Sequence, residues 1–90
     1  MLKVDFKDKT TCKFLDKLPA KQFKQIIAKV FALLRDPFPN DSSQLKGDDA
    51  YRADIGEYRI IYIIEKDTLI VLAIGKRNDE DVYKRYSRKK

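Results

Sequence analysis

The sequence predicts an α+β domain in which two helices pack on an antiparallel sheet, and three observations carry that expectation. A long apolar pattern of helical period fills the first half. Strand-like apolar runs separated by two-residue turns fill the second. Only three Gly and three Pro in 90 residues interrupt either pattern. A chain of this length suffices for one compact unit with a modest core, so residues 1–90 are read as one domain.

Leu2, Val4 and Phe6 alternate with Lys3, Asp5 and Lys7, the period-two pattern of a strand with one buried face, predicted over residues 2–6. Thr10 or Thr11 then caps a short helix in which Phe14, Leu15 and Leu18 share a face before Pro19 breaks it. Cys12, within that helix, is expected to be a small buried side chain. From Ala20 onward, Phe23, Ile26, Ile27, Val30, Phe31 and Leu34 have the spacing of a broad apolar stripe, with Lys21, Lys24 and Lys29 mostly on the other side. Asp36-Pro37-Phe38-Pro39-Asn40 ends this second helix, because proline disfavours a helical residue before it. The two helices read as a hairpin.

Residues 37–50, rich in Pro, Asp, Ser and Gly, are expected to form one long loop, with Leu45 tucked into the core. Three strands follow over residues 51–55, 58–65 and 68–75, joined by Gly56-Glu57 and Lys66-Asp67. Connections this short make them an antiparallel meander. The run from Ile60 to Ile64 is apolar on both faces, which suits a central strand covered on each side. Residues 76–90 hold seven basic and three acidic residues. A short final helix is predicted over 79–86, its acidic start and basic end matching the helix dipole. The whole order is β-α-α-β-β-β-α, with no internal repeat.

Composition narrows the chemistry. The net charge of +6 favours an acidic partner: nucleic acid, a charged membrane surface or an acidic protein. All five Phe precede residue 39, whereas all five Tyr and every Arg but Arg35 follow residue 50. The first half therefore reads as core supply and the second as a polar-aromatic working face. The absence of His excludes histidine triads, paired-imidazole RNA cleavage and most catalytic zinc sites. One cysteine forms no intrachain disulfide, the charged N-terminus is unlike a signal peptide, and no apolar run approaches the ~20 residues of a membrane span. The expected location is the cytoplasm.

One ordered set of residues is more specific. Leu45-Lys46-Gly47, Tyr51-Arg52, Gly56-Glu57-Tyr58-Arg59-Ile60-Ile61-Tyr62, Ile74-Gly75-Lys76-Arg77 and Val82-Tyr83, following a helical hairpin and the Asp36-Pro37 break, resemble the RelE/ParE superfamily of toxin-antitoxin toxins. The resemblance runs over nearly the whole chain. It implies an endoribonuclease that needs no metal or cofactor and cuts messenger RNA in the ribosome. It further implies silencing by a cognate acidic, RelB-like antitoxin, and operator DNA binding through the toxin-antitoxin complex. The family's working positions carry over to Arg52, Arg59, Arg77 and Tyr83, and no membrane association is implied.

Metal-free RNA cleavage needs a base for the 2′-OH, an acid for the leaving 5′ oxygen and cations around the transition state. Arginine suits the last role, because its planar fork holds two phosphate oxygens and its charge is permanent. Arg52, Arg59 and Arg77 are thus read as the phosphate-binding set. Arg59 has a plainer alternative, a pair with Glu57 or Asp54 at the sheet margin. Tyr83 is the proton-transfer candidate, its phenolate favoured by nearby cations, or else a platform that stacks on a base. Lys46, Lys76, Lys84, Arg85 and Arg88 are candidates for general RNA contacts. Asp54 departs from the ribonuclease pattern, which often has a second basic residue there; it serves either as the base or to orient an arginine. The competing functions are a ParE-like toxin that binds DNA gyrase without cutting RNA, and a weak domain kept for antitoxin and operator binding.

Overall fold

Pro19 divides the first half of the chain into two helices. The computed structural model, which describes residues 1–7 and 9–77, closes α1 (Lys9–Asp16) before this proline and starts α2 (Ala20–Arg35) directly after it. Pro19 itself is extended, with ψ at 152°, while its carbonyl already accepts from the Phe23 N–H at 3.0 Å. At the far end Asp36 is extended, as a residue before proline must be, and its N–H closes the last turn on Ala32.

The helices bury faces slightly rotated from those expected. In α2 the buried residues are Ile26, Val30, Leu33 and Leu34, whereas Phe31 and Phe23 are 54% and 38% exposed. The apolar arc is wider than the sheet can cover, and the aliphatic side takes the inside. Phe38 is also half exposed, so the phenylalanines are not simply core supply. In α1, Thr11 and Leu15 point inward. At 100° per residue that leaves Cys12 on the outer side, and it is exposed rather than buried.

The strands are β1 (Lys3–Phe6), β2 (Ser42–Gln44), β3 (Tyr51–Ile55), β4 (Tyr58–Glu65) and β5 (Thr68–Lys76). They form one sheet in the order β1-β5-β4-β3-β2. The meander β3-β4-β5 is antiparallel, as its short turns require. Both turns open with a positive φ, 57° at Gly56 and 56° at Lys66, matching the strand twist. The expected long loop is interrupted by β2, whose Ser42, Ser43 and Gln44 pair antiparallel with Ala53, Arg52 and Tyr51. These three polar residues have no strand signature; the edge of β3 recruits them. β1 runs parallel to β5 and closes the other side of the sheet.

The main core lies between helices and sheet. It joins Leu15, Ile26, Val30, Leu33 and Leu34 to Ala53, Tyr58, Ile60, Tyr62, Leu69, Val71 and Ile74. A smaller cluster of Ala50, Ile61, Leu72 and Ala73, with Leu45, Ile63 and Ile70 against it, occupies the other face. β4 is therefore apolar on both sides, as a central strand should be. The helix expected over 79–86 lies outside the described residues.

Candidate functional site

Strand alternation sorts the second half into two chemically different faces. On β3, Tyr51, Ala53 and Ile55 pair with Tyr62, Ile60 and Tyr58 of β4 on the helix-covered side. Arg52 and Asp54 pair with Ile61 and Arg59 on the other. The aromatic and the basic residues expected to share a working face are thus separated by the thickness of the sheet. None of the three described tyrosines lies on the arginine side. Tyr62 is fully buried, its hydroxyl donates to the Pro37 carbonyl at 2.6 Å, and burial pushes its phenol up to about 12. Tyr51 stacks on it at 6.0 Å between ring centroids, and Phe38 caps Tyr51 at 4.7 Å. These rings anchor the segment after α2 rather than offering a surface to RNA.

A β-bulge in β5 decides which cation joins the arginines. Ile63 pairs with Ile70 and Tyr62 with Val71, but Ile61 pairs with Ala73, so Leu72 is an extra residue that reverses the alternation. Beyond it Arg59 faces Gly75 and Tyr58 faces Lys76. Lys76 is consequently on the Tyr58 side, and Arg77 follows Gly75 onto the Arg59 side. The Arg77 N–H extends the ladder to the Glu57 carbonyl at 2.8 Å, and its Nη1 makes a long 3.5 Å contact to the Gly56 carbonyl.

The centre of the cluster is one row across three strands: Asp54, Arg59 and Gly75. Arg59 donates from Nε to Asp54 Oδ1 at 2.7 Å and from Nη2 to Oδ2 at 3.2 Å, a two-point charge-assisted pair. The side chains are 12% and 32% exposed. Of the two alternatives for Arg59, the partner is Asp54; Glu57 is exposed. The hydrogen bonds from Arg59 hold the Asp54 carboxyl below the usual carboxylate range, against the opposing effect of burial, and the charges of Arg59, Arg77 and Arg52 add to this. All three arginines therefore lie on the side of the sheet that carries this carboxylate.

Of the remaining predicted positions, the two that are described, Lys46 and Lys76, do not join this cluster. Lys46 is exposed in the turn before Ala50, and Lys76 lies across the sheet. Tyr83, Lys84, Arg85 and Arg88 fall outside the described residues. A cavity of about 550 Å³ lies at the opposite end of β5, lined by Asp5, Glu65, Lys66, Asp67, Thr68 and Ile70, too acidic and too remote to extend the arginine site. Among the described residues no group of His, Cys, Asp and Glu is arranged to hold a metal ion, and no helix is long and apolar enough to cross a membrane.

Comparison with known proteins agrees with this architecture. The family model for the ParE toxin of type II toxin-antitoxin systems matches residues 6–81. A mutant of the E. coli toxin RelE in the free state superposes with a TM-score of 0.81 at 25% identity, covering 98% of this chain and 96% of that one. The archaeal RelE–RelB complex from Pyrococcus horikoshii OT3 gives 0.75 at 27% identity, over 84% and 94% of the two chains. The intact E. coli RelBE toxin-antitoxin complex gives 0.72 at 26%, over 84% and 96%. No curated protein sequence matches significantly.

Proposed function

This chain belongs to the ParE toxin family of type II toxin-antitoxin systems, and from that membership together with its likeness to RelE structures we propose that it is a toxin that cleaves messenger RNA at the ribosome. The observation that carries the reading is the placement of Arg52, Arg59 and Arg77 on one side of the sheet, with Arg59 paired to Asp54. Two permanent cations on rigid strands, with a third directly after β5, suit a phosphodiester whose charge grows in the transition state. Arg52 and Arg77 bind the phosphate and Arg59 stabilises the developing charge. Tyr83 carries the proton transfer, and Lys46, Lys84, Arg85 and Arg88 add general contacts to RNA. Lys76 lies on the opposite side of the sheet and is not one of these contacts.

The similarity to RelE structures solved together with RelB supports a cognate antitoxin as partner. An acidic, helical antitoxin segment complements the net charge of +6. The half-exposed Phe23 and Phe31 of α2 supply apolar area for it. Operator DNA binding follows through the complex, and the cytoplasm is the place of action.

Primer extension on translated messages tests the reading. Induction of the toxin should produce cuts within codons, and their absence at levels that arrest growth would refute it. Arg77→Ala and Tyr83→Phe should each lose the cuts and keep the fold. One observation favours a second reading: Arg59 is already engaged by a carboxylate, which suits a ParE-like toxin acting on DNA gyrase. Inhibition of supercoiling by purified protein, without RNA cuts, would select that function.

A further inference from the structure

Asp54 acts on the arginine cluster in two opposite ways. Its carboxylate occupies one complete edge of the Arg59 guanidinium, Nε at 2.7 Å and Nη2 at 3.2 Å, and so fixes the direction of the fork. It also cancels one of the three positive charges that an incoming phosphate would meet. The pair is mostly shielded from water on the arginine's side, so it is more persistent than an exposed contact between two long side chains. Gly75, directly across β4 from Asp54, places no side chain against Arg59 on its other flank. Within that row the carboxylate is the side chain that grips the guanidinium, at two points.

We propose that Asp54 is a positioning residue, which aims Arg59 at the reacting phosphate and lowers the affinity of the site for RNA in doing so. This rests on the reading of the cluster as a phosphate site in an RNA-cleaving toxin. The same contacts argue against Asp54 as the base for the 2′-OH. Both its oxygens accept from Arg59, and Arg77 and Arg52 further stabilise the anion, so it holds a proton weakly.

The test compares the full-length protein with Asp54→Asn, which keeps the shape and drops the charge, and Asp54→Glu, which keeps the charge. Binding of a 2′-O-methyl RNA oligonucleotide, which is not cleaved, is measured across salt concentrations. Solvent exchange of the Arg59 Nε–H is followed by nitrogen-15 NMR, and cleavage of a translated message is measured at saturating toxin. Asp54→Asn should bind the oligonucleotide several-fold more tightly, with a log–log salt slope steeper by about 0.7. Its Nε–H should exchange at least tenfold faster, and cleavage at saturation should fall tenfold or more. Asp54→Glu should restore protection of the Nε–H and part of the rate. A carboxylate that merely stabilised the sheet would leave this split between affinity and saturated rate unmoved. If the Asn variant binds more tightly and also cuts faster, Asp54 is a brake and the proposal is overturned. Unchanged exchange at Arg59 would overturn it as well. If the parent protein cuts no message while exchange and binding shift as stated, the nuclease reading fails and the positioning of Arg59 stands.

Discussion

Lys76 and Arg77 are adjacent in sequence, carry the same charge and are both exposed, yet the bulge at Leu72 sends them to opposite sides of the sheet. Replacing each by alanine therefore separates a built phosphate site from a diffuse basic surface. One phosphate contact to a single strand contributes about 0.7 to the slope of log affinity against log salt. For an exposed arginine the contact itself is worth about 1 kcal/mol at low salt, roughly fivefold in Kd. Arg77→Ala should thus bind a non-cleavable RNA about fivefold more weakly than the parent at 50 mM salt. Raising salt to 200 mM should shrink that ratio by about 2.6-fold, the fourfold change in salt taken to the power 0.7. Because the ratio is taken against the parent, contacts made elsewhere by the basic tail cancel. Lys76→Ala should leave both affinity and slope unchanged. Fluorescence anisotropy titrations at four salt concentrations measure all three proteins. Equal losses from the two substitutions would refute the argument, since they would mean that the RNA senses net charge and not the face set by the bulge.

Three further outcomes follow from the core and its titrating groups. Tyr62→Phe should cost about 1 kcal/mol by removing the hydrogen bond to Pro37, lowering Tm by roughly 4–8 °C. The Tyr62 phenol titrates near 12 when folded, against about 10 when unfolded. Its contribution is therefore complete below pH 10 and lost as pH rises towards 12, and urea midpoints over that range should fall less in the Phe variant. Leu33→Ala should cost about 2–5 kcal/mol in urea unfolding, and Phe31→Ala under about 1 kcal/mol, reversing the order that residue size suggests. Asp54 has a folded pKa below its unfolded value, so its contribution is present above pH 4 and lost as pH falls through the lower folded value. Asp54→Asn should remove that part of the acid dependence of stability.

The meander was legible because its turns are short and chemically marked. Gly56-Glu57 and Lys66-Asp67 leave little freedom in register, and the predicted 51–55 and 58–65 strands are those observed. The same turn implies that Asp54 faces Arg59, the pairing that organises the site. What local pattern does not reveal is pairing over long distances and the choice of face. β2 is a strand only because β3 has an edge to offer, and the parallel partner of β1 lies more than sixty residues away. Position along the chain alone groups the tyrosines with the arginines on one working face. Alternation on β3 and β4, which puts Tyr51 and Tyr62 opposite the arginine side, is the signal that corrects it. Phe31 and Cys12 are exposed against expectation because an apolar residue on a helix is not thereby on the arc that a neighbour covers.

The pairing of β1 with β5 also bears on how the molecule comes into being. Lys3 to Phe6 are made well before their partners Thr68 to Val71, with both helices and the other strands of the meander between them. Closing so long a loop is entropically costly and slow compared with the meander hairpins. During synthesis β1 must wait beside α1 and α2 until β5 emerges, while the hairpin of β3 and β4 can already form. Arg77, the last of the three cations, arrives only after β5 is complete. A growing chain therefore carries an incomplete arginine cluster until β5 has paired and Arg77 has followed it out.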